Sequence, residues 1–434
     1  MDTIFALSSG ALPSGVAIVR MSGEGVDQAF PAFGLHRPEP RSASLQTFLI
    51  GTEAIDRALV LFFPAPRSFT GEDCAEFHLH GSPAILAAVL GHLSTLAHFR
   101  PAEPGEFTRR AFANGRMDLT EAEALSQLID SETEAQRRLA MSGAAGRQLA
   151  MISTWQRSLT GLRARLEAEM DFSDEGDVPA NVSDAARQSL CDLIDVMNRH
   201  NRAFAGAEIV RRGFRVALTG RPNAGKSSLL NRLAGRDVAL VTEIPGTTRD
   251  RLEVALDLQG YKVILADLAG LRDTDDRVER MGVDLAKKTA GDADLVLWMD
   301  DNENEPDDPG FADGAILVRS KADTGAQTAH GENWIAVSSR TGEGIEALLS
   351  AIAGRLRDHL PKEDALPPAT ERQRHHLAAA IEHCESAVQQ WEHAPLEIIA
   401  EDLRAASFAL GRLVGQVDAE NVLDDVFGRF CIGK

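Results

Sequence analysis

The chain has 434 residues, 44% of them hydrophobic and 25% charged, with a formal net charge of −20. That mixture suffices for roughly two to four globular domains, holds no apolar run long enough to span a bilayer, and is too acidic to bind nucleic acid over its whole surface, so a nucleic-acid role needs a local patch or a partner's surface. The four cysteines, Cys74, Cys191, Cys384 and Cys431, are scattered without a Cys-x-x-Cys pair, which argues against a structural zinc site and a disulfide framework.

The first residues lack a basic n-region, so a cytoplasmic location is expected. Residues 1–117 read as mixed α/β. "GVAIVRM" (15–21) and "RALVLFF" (57–63) are short β-forming runs, and "SPAILAAVLGHLSTLA" (82–97) has helical spacing. The loop "RPAEPGEFTRRAFANGRMD" (100–118) carries Arg100, Arg109, Arg110 and Arg116. It could be a local nucleic-acid contact, a ligand-facing loop or a structural element.

From Leu119 the spacing turns helical. Thr120 with Glu123, and Ser131 with Glu134, form capping-box patterns. Apolar residues recur at three and four through 139–170, a polar break "DFSDEGDVPANVSD" (171–184) follows, and another helix runs from about 185 to 206. At Phe214 the period changes again. "FRVALTG", "YKVILADLAG", "DLVLWMD", "AILVRSK" and "NWIAVSS" are short apolar strands alternating with helical or loop segments, the pattern of a mostly parallel sheet. "LPKEDALPPATE" (360–371) is a Pro-rich linker, and residues 372–434 are helical again. The expected architecture is an α/β P-loop GTPase domain (213–358) inserted into a discontinuous all-helical domain (118–212 and 359–434), after an α/β N-terminal domain (1–117).

"GRPNAGKSS" (220–228) lies between a strand and a helix and fits the P-loop pattern. Its backbone N–H groups would cradle phosphate, Lys226 would bring charge to the β and γ phosphates, and Ser227 would ligate magnesium. Asp267 opens "DLAG" at a strand end, on the magnesium side of a nucleotide switch. "SKAD" (320–323) resembles the guanine-reading Asn-Lys-x-Asp motif with Ser320 in place of Asn, and "SSR" (338–340) resembles the loop that backs the base. Alone, each is also an ordinary solvated turn; four in order favour GTP over ATP. Switch GTPases orient the attacking water with Gln after Asp-x-x-Gly, but Leu271 stands there. Glu279 in "LRDTDDRVERMG" is a candidate water-orienting acid, or a solvated acid on a helix face. Asn223 with "VTEIPGTTRD" (241–250) could hold a monovalent cation in place of an arginine finger, and Thr248 is the natural switch hydroxyl for magnesium; the same segment also reads as an ordinary turn.

The chain ends in "FCIGK" (430–434). A Cys fourth from the end suggests prenylation, but Gly433 and Lys434 break that signal and no polybasic run precedes it. A frayed end with an incidental thiol is the alternative.

These segments, together with "SFTGEDCAEFHLHG" (68–81), "AEPGEFTRRAFANGRMDLTEAEAL" (102–125) and "DFSDEGDV" (171–178), resemble the signatures of the MnmE (TrmE) family of bacterial tRNA modification GTPases across nearly the whole chain. The resemblance implies a homodimer whose GTPase domains are activated by potassium-dependent dimerisation. Potassium would touch the Asn223 side chain, the backbones of Thr242 and Ile244, and Thr247, and would supply the charge of the missing finger. Glu279 would orient the attacking water through an intervening water, and magnesium would lie on Ser227 and Thr248. The nucleotide contacts would fall on Asn223, Ala224, Gly225, Lys226, Ser227 and Ser228; on Thr242, Glu243, Ile244, Pro245, Gly246, Thr247 and Thr248; on Asp267, Leu268, Ala269 and Gly270; and on Ser320, Lys321, Ala322, Asp323, Ser338, Ser339 and Arg340.

The resemblance further implies that the N-terminal domain dimerises and binds 5-formyl- or methylene-tetrahydrofolate through Arg20, Glu76, Arg116 (where the family often has Lys) and Lys434. The tail would then return to that pocket, with Cys431 a candidate chemical participant or an incidental thiol. The implied partner is the flavoprotein MnmG, in a heterotetramer, carrying FAD and using NADH. The implied product is an aminomethyl or carboxymethylaminomethyl group on carbon 5 of the wobble uridine of certain tRNAs. Competing readings are a GTP-dependent switch for ribosome assembly, which would lack the folate-like domain, and a membrane-remodelling GTPase, for which no basic amphipathic stretch is present.

Overall fold

A computed structural model describes residues 2–144, 146–171, 182–236, 239–240, 253–267, 293–302, 304, 314–324, 333–360, 366–416, 423, 426–428, 430 and 432–433. The chain divides into two compact units. One comprises Met1–Ser126, Ala144–Arg187 and Glu382–Lys434; the other comprises Gln127–Gly143 and Gln188–Ile381.

The first unit is built on a six-stranded sheet of β1 (Thr3–Leu7), β2 (Ser14–Ser22), β3 (Ser44–Ile50), β4 (Glu53–Phe63), β5 (Cys74–Gly81) and β6 (Phe99–Pro101), in the order β3-β4-β5-β2-β1-β6. Only the β1–β6 pair is parallel. Side chains alternate along each strand. Ala17, Val19 and Met21 of β2 and Ala75, Phe77 and Leu79 of β5 are buried in the core with α1 (Val26–Ala32) and α2 (Pro83–Leu93). Phe30, Phe33, Phe48 and Phe77 meet edge-on or tilted, at centroid separations of 4.9–6.4 Å. Each fully buried Phe contributes about 2–3 kcal/mol of transfer free energy. The opposite face keeps Arg20, Glu76 and His78, and leaves Leu45 and its cross-strand partner Leu59 exposed.

The same unit contains α3 (Glu106–Ala113), most of α4 (Leu119–Ile129) and α6 (Arg147–Asp171). Between the two come α5 (Glu134–Ala144), and after them α7 (Val182–Arg202), α8 (Phe204–Arg212), β7 (Phe214–Gly220), α9 (Lys226–Ala234), β8 (Glu253–Leu258), β9 (Tyr261–Asp267), β10 (Leu295–Asp300), β11 (Ile316–Arg319), β12 (Trp334–Ala336), α10 (Ile345–His359), α11 (Glu371–Gln390) and α12 (Leu396–Val414). The long amphipathic helices expected through 139–170 are α5 and α6, parted near Gly146 at φ +66°, a conformation that ends helices. The helix expected over 185–206 is two, α7 and α8.

Both expected capping boxes shift by two residues. Asp118 Oδ1 accepts from the N–H groups of Thr120 and Glu121 (2.7 and 3.0 Å), and the Asp118 N–H donates to Glu121 (3.0 Å). At α5 the N–H of Thr133 donates to Gln136 Oε1 (3.0 Å). Thr120 and Ser131 are not the caps.

In the second unit the strands order as β12-β11-β10-β7-β9-β8, parallel except for the β8–β9 hairpin. Its strands are near-continuous apolar runs, as a buried parallel sheet requires. Leu229, Leu230 and Leu233 of α9 and Ile345, Leu348, Ile352 and Leu356 of α10 share that core. The hairpin tip is fastened to the first turn of α5: the Ala135 N–H donates to the Gly260 carbonyl (2.9 Å), and Lys262 pairs with Glu132 (2.7 Å).

Candidate functional site

Four strand ends of the second unit carry the nucleotide candidates. The segment 220–228 leaves β7 and enters α9. Gly220 sits at φ +136°, and a Cβ there would lie 2.0 Å from the Met299 carbonyl oxygen, so close approach to β10 demands glycine. Asn223 and Gly225 both adopt the left-handed region, at φ +63° and +84°. Asn is among the few side chains that tolerate it. Successive turns of this kind direct backbone N–H groups inward as an anion cradle at a helix N-terminus. Lys226 is buried, and its ammonium donates to the carbonyls of Gly220 (3.0 Å) and Arg221 (2.9 Å). Ala224 is buried, while Ser228 lies exposed on the first turn of α9.

β9 runs parallel to β7 with Asp267 opposite Leu218. That register brings the buried Asp267 carboxylate to accept from the Ser227 hydroxyl at 3.0 Å. Two hard oxygen donors at one point beside a phosphate cradle fit a magnesium ion. The exposed Asn223 amide oxygen is a donor suited to potassium.

On the other side of β10, Lys321 adopts φ +56° and its ammonium pairs with Asp301 (2.8 Å). Asp323 lies in the short turn Ala322–Thr324. Its Oδ1 accepts from the Ser338 hydroxyl (2.6 Å) and its Oδ2 from Arg340 Nε (2.7 Å). The Ser338 hydroxyl hydrogen bond, then the Arg340 pair, hold this carboxyl below the usual aspartate range. Ser339 follows Ser338 in the same turn. Ser320 is buried, and its hydroxyl has no hydrogen-bond partner among the described residues. Its backbone N–H donates to Asp300. Thr242, Glu243, Ile244, Pro245, Gly246, Thr247, Thr248, Leu268, Ala269, Gly270, Leu271, Glu279, Cys431 and Lys434 lie outside the described residues.

The N-terminal candidates assemble on the open face of the first sheet. Arg20 and Glu76 are register partners on β2 and β5. Arg20 Nε and Nη2 both reach Glu76 Oε1 at 2.9 Å, while His78 Nε2 lies 3.0 Å from Glu76 Oε2. The Arg20 guanidinium sits over the Phe69 ring, 5.5 Å from its centroid. A carboxylate oriented from both sides beside an aromatic plane suits a pterin with a donor edge. The stem of Arg116 packs on Gly71, and Asn114 Nδ2 donates to the Thr70 carbonyl (2.8 Å), so the 114–116 turn is fixed to the same 69–71 segment. The tail arrives nearby: the Ser8 hydroxyl donates to the Gly433 carbonyl (2.8 Å), and the Ser8 N–H donates to Ile18 on β2 (2.7 Å).

Arg100 and Arg110 pair internally with Glu106 and Glu72, at 2.6 and 3.0 Å. Both guanidiniums are engaged in ion pairs within the unit. His78, Phe69 and Ser8 were not singled out by sequence reasoning. The first is a period-two neighbour of Glu76, a signal that becomes readable only once β5 is recognised.

Two family models match: the MnmE helical domain over residues 119–431 and the GTP-binding protein TrmE N-terminus over 3–116. The tRNA modification GTPase MnmE of Brucella ovis is 49% identical over 439 aligned positions, covering 100% of this chain and 98% of that protein. Its counterpart from Chelativorans sp. is 46% identical, with the same coverage. Among solved structures, the G domain of the T. maritima FeoB iron transporter matches 34% of this chain and 98% of that one at 27% identity; its TM-score of 0.24 adds nothing to the fold assignment.

Proposed function

The chain belongs to the MnmE (TrmE) family and is a GTP hydrolase of tRNA modification, and from that premise we propose that it is a potassium-activated GTPase working with the flavoprotein MnmG on the wobble uridine. The observation that carries the nucleotide half is the Ser227–Asp267 contact, 3.0 Å between the first turn of α9 and the end of β9, beside the Lys226 cradle. Phosphoryl transfer needs little covalent help from a protein; it needs positioning and charge. The 220–228 backbone orients the phosphates, Lys226 moves its ammonium from carbonyls to phosphate oxygens, and Asp323 accepts from the guanine edge. Ser227, with Thr248, would hold magnesium. Asn223, with Thr242, Ile244 and Thr247, would hold potassium. When bound, the two ions supply the positive charge that neutralises the developing phosphate charge. Glu279 orients the attacking water, a role Leu271 cannot fill.

The N-terminal half of the proposal is a tetrahydrofolate site of Arg20, Glu76, Arg116 and Lys434, with Cys431 beside it. It is supported by the Glu76 carboxylate fixed between Arg20 and His78. The folate would deliver the one-carbon unit, and FAD would belong to the partner. We further propose functional domains at 1–117, 118–212 with 359–434, and 213–358, a homodimer, a heterotetramer with MnmG, and a cytoplasmic location. No helix among the described residues is long and apolar enough to cross a membrane.

Two measurements test this. GTP turnover should rise on replacing sodium with potassium, and Asn223→Ala or Glu279→Ala should abolish the rise; equal rates in both salts would remove the potassium mechanism. Gene deletion should strip the modification from wobble uridines, with wild type but not Lys226→Ala restoring it. Unchanged nucleosides after deletion would reject the tRNA assignment for this chain.

A further inference from the structure

β10 lies between the P-loop strand β7 and the guanine-side strand β11, and Asp300 is its last residue. Met299 pairs with Gly220 on one side and Asp300 with Arg319 on the other. Asp300 is only 1% exposed. Its Oδ1 accepts three bonds, from the backbone N–H groups of Asn302 (2.7 Å) and Asn304 (3.1 Å) and from Asn304 Nδ2 (3.1 Å). Its backbone carbonyl accepts the Ser320 N–H (3.0 Å). The second carboxylate oxygen is buried without a hydrogen bond, and lies 3.5 Å from Nε of Arg221, the second residue of the P-loop.

A neutral Asn would close the 300–304 turn through its amide oxygen as well as Asp does, without the cost of burying a charge. Among the described residues, the ion pair recorded for this charge is with the Arg221 guanidinium. Arg221 is itself half exposed, and its carbonyl receives the Lys226 ammonium at 2.9 Å. We propose that Asp300 is a positioning residue of the nucleotide site, acting through Arg221 to set the entrance of the phosphate loop while its backbone carbonyl sets the start of the guanine-side turn. One buried residue, through its side chain and its backbone carbonyl, thus registers the two ends of a bound nucleotide against each other. The proposal rests on the assignment of 220–228 as the triphosphate site.

The full chain is used for the test, with fluorescent GDP and GTP as probes, magnesium and potassium present, and KM and kcat measured alongside melting temperature. Arg221→Gln should weaken nucleotide affinity and raise KM by about three- to tenfold, with kcat within about twofold and an unchanged melting temperature. Arg221→Lys should retain most of the affinity. Asp300→Asn should match Arg221→Gln, and the double variant should be no weaker than the worse single one, because both remove the same contact. Wild-type affinity in Arg221→Gln, or additive losses in the double variant, would overturn the proposal; the Arg221 arm decides even if Asp300→Asn does not fold. Lys226→Ala separates the two levels. If it binds nucleotide like wild type, the phosphate-site assignment itself fails, and this proposal with it. If it loses binding while Arg221→Gln does not, only the positioning role fails.

Discussion

Asp323 shows how much a single side chain of the site owes to its neighbours. The Ser338 hydroxyl and Arg340 Nε each donate to one of its two oxygens, fixing the plane of the carboxylate. Its pKa is depressed from the ordinary value of 3.8. The stabilisation of the charged form is therefore complete above 3.8 and disappears as pH falls through the lower folded value. Guanine-nucleotide affinity should be flat from about pH 8 to about pH 5 on this account. Ser338→Ala should move the acid limb up toward 3.8, which a titration of fluorescent GDP binding would show. Cys384 offers a second residue-scale check: burial, then Asp402 and Glu385, push its thiol up to about 12. It should resist iodoacetamide at pH 8 in the folded protein and react only on unfolding. The P-loop residues were legible because their spacing is local. The Arg20–Glu76 pair was reached only through family resemblance, since its partners are 56 residues apart and meet through strand register. The Asp300–Arg221 approach had no sequence signal, because neither residue is special until β10 and β7 are placed side by side.

At the scale of elements, legibility followed burial. β7 and β9 to β12 are apolar along their length and were readable as strands of a parallel sheet. β1, β3, β5 and β8 were not picked out; β5 and β8 alternate core residues with Glu, His and Asp, and β1 and β3 are short runs beside stronger signals. The starts of α4 and α5 were found to within two residues, but the capping residue was misassigned at both, and α3 was read as part of a loop. Asp118 accepts from the first-turn N–H groups of α4, while just ahead of α5 the Thr133 N–H and hydroxyl both donate to Gln136 Oε1. Asp118→Ala should cost about 1 kcal/mol in chemical denaturation, within the range of lost N-caps. Thr133→Ala should cost more than Ser131→Ala, whose hydroxyl instead bonds back to the Gln127 carbonyl.

At the scale of the whole molecule, the tail meets the end of the first strand. The Ser8 hydroxyl and the Gly433 carbonyl are separated by 425 positions and lie 2.8 Å apart. A Cβ at Gly433 would stand 2.1 Å from the Leu7 carbonyl oxygen, on a residue at φ +96°. Gly433→Val should therefore detach the tail. If the tail completes the folate pocket, tetrahydrofolate affinity should drop at least about tenfold in isothermal titration, roughly the loss of one charged contact. Unchanged affinity would remove the tail from the pocket. Length and composition led to an expectation of two to four domains, and the change of period at Phe214 marked the nucleotide segment. Neither showed that 127–143 groups with the nucleotide strands, because that association is made by contacts between residues far apart in sequence, among them Ala135 with Gly260, Glu132 with Lys262 and Gln136 with Arg211.

The Gly260 carbonyl supplies the acceptor that the second amide of α5 lacks within its own helix. That amide is consequently a reporter wired to the strand that ends in Asp267. Any nucleotide-driven displacement of β9 must stretch or relax a single N–H···O contact, and deuterium uptake at Ala135 would register it from outside the catalytic loops, with no label attached and no residue changed.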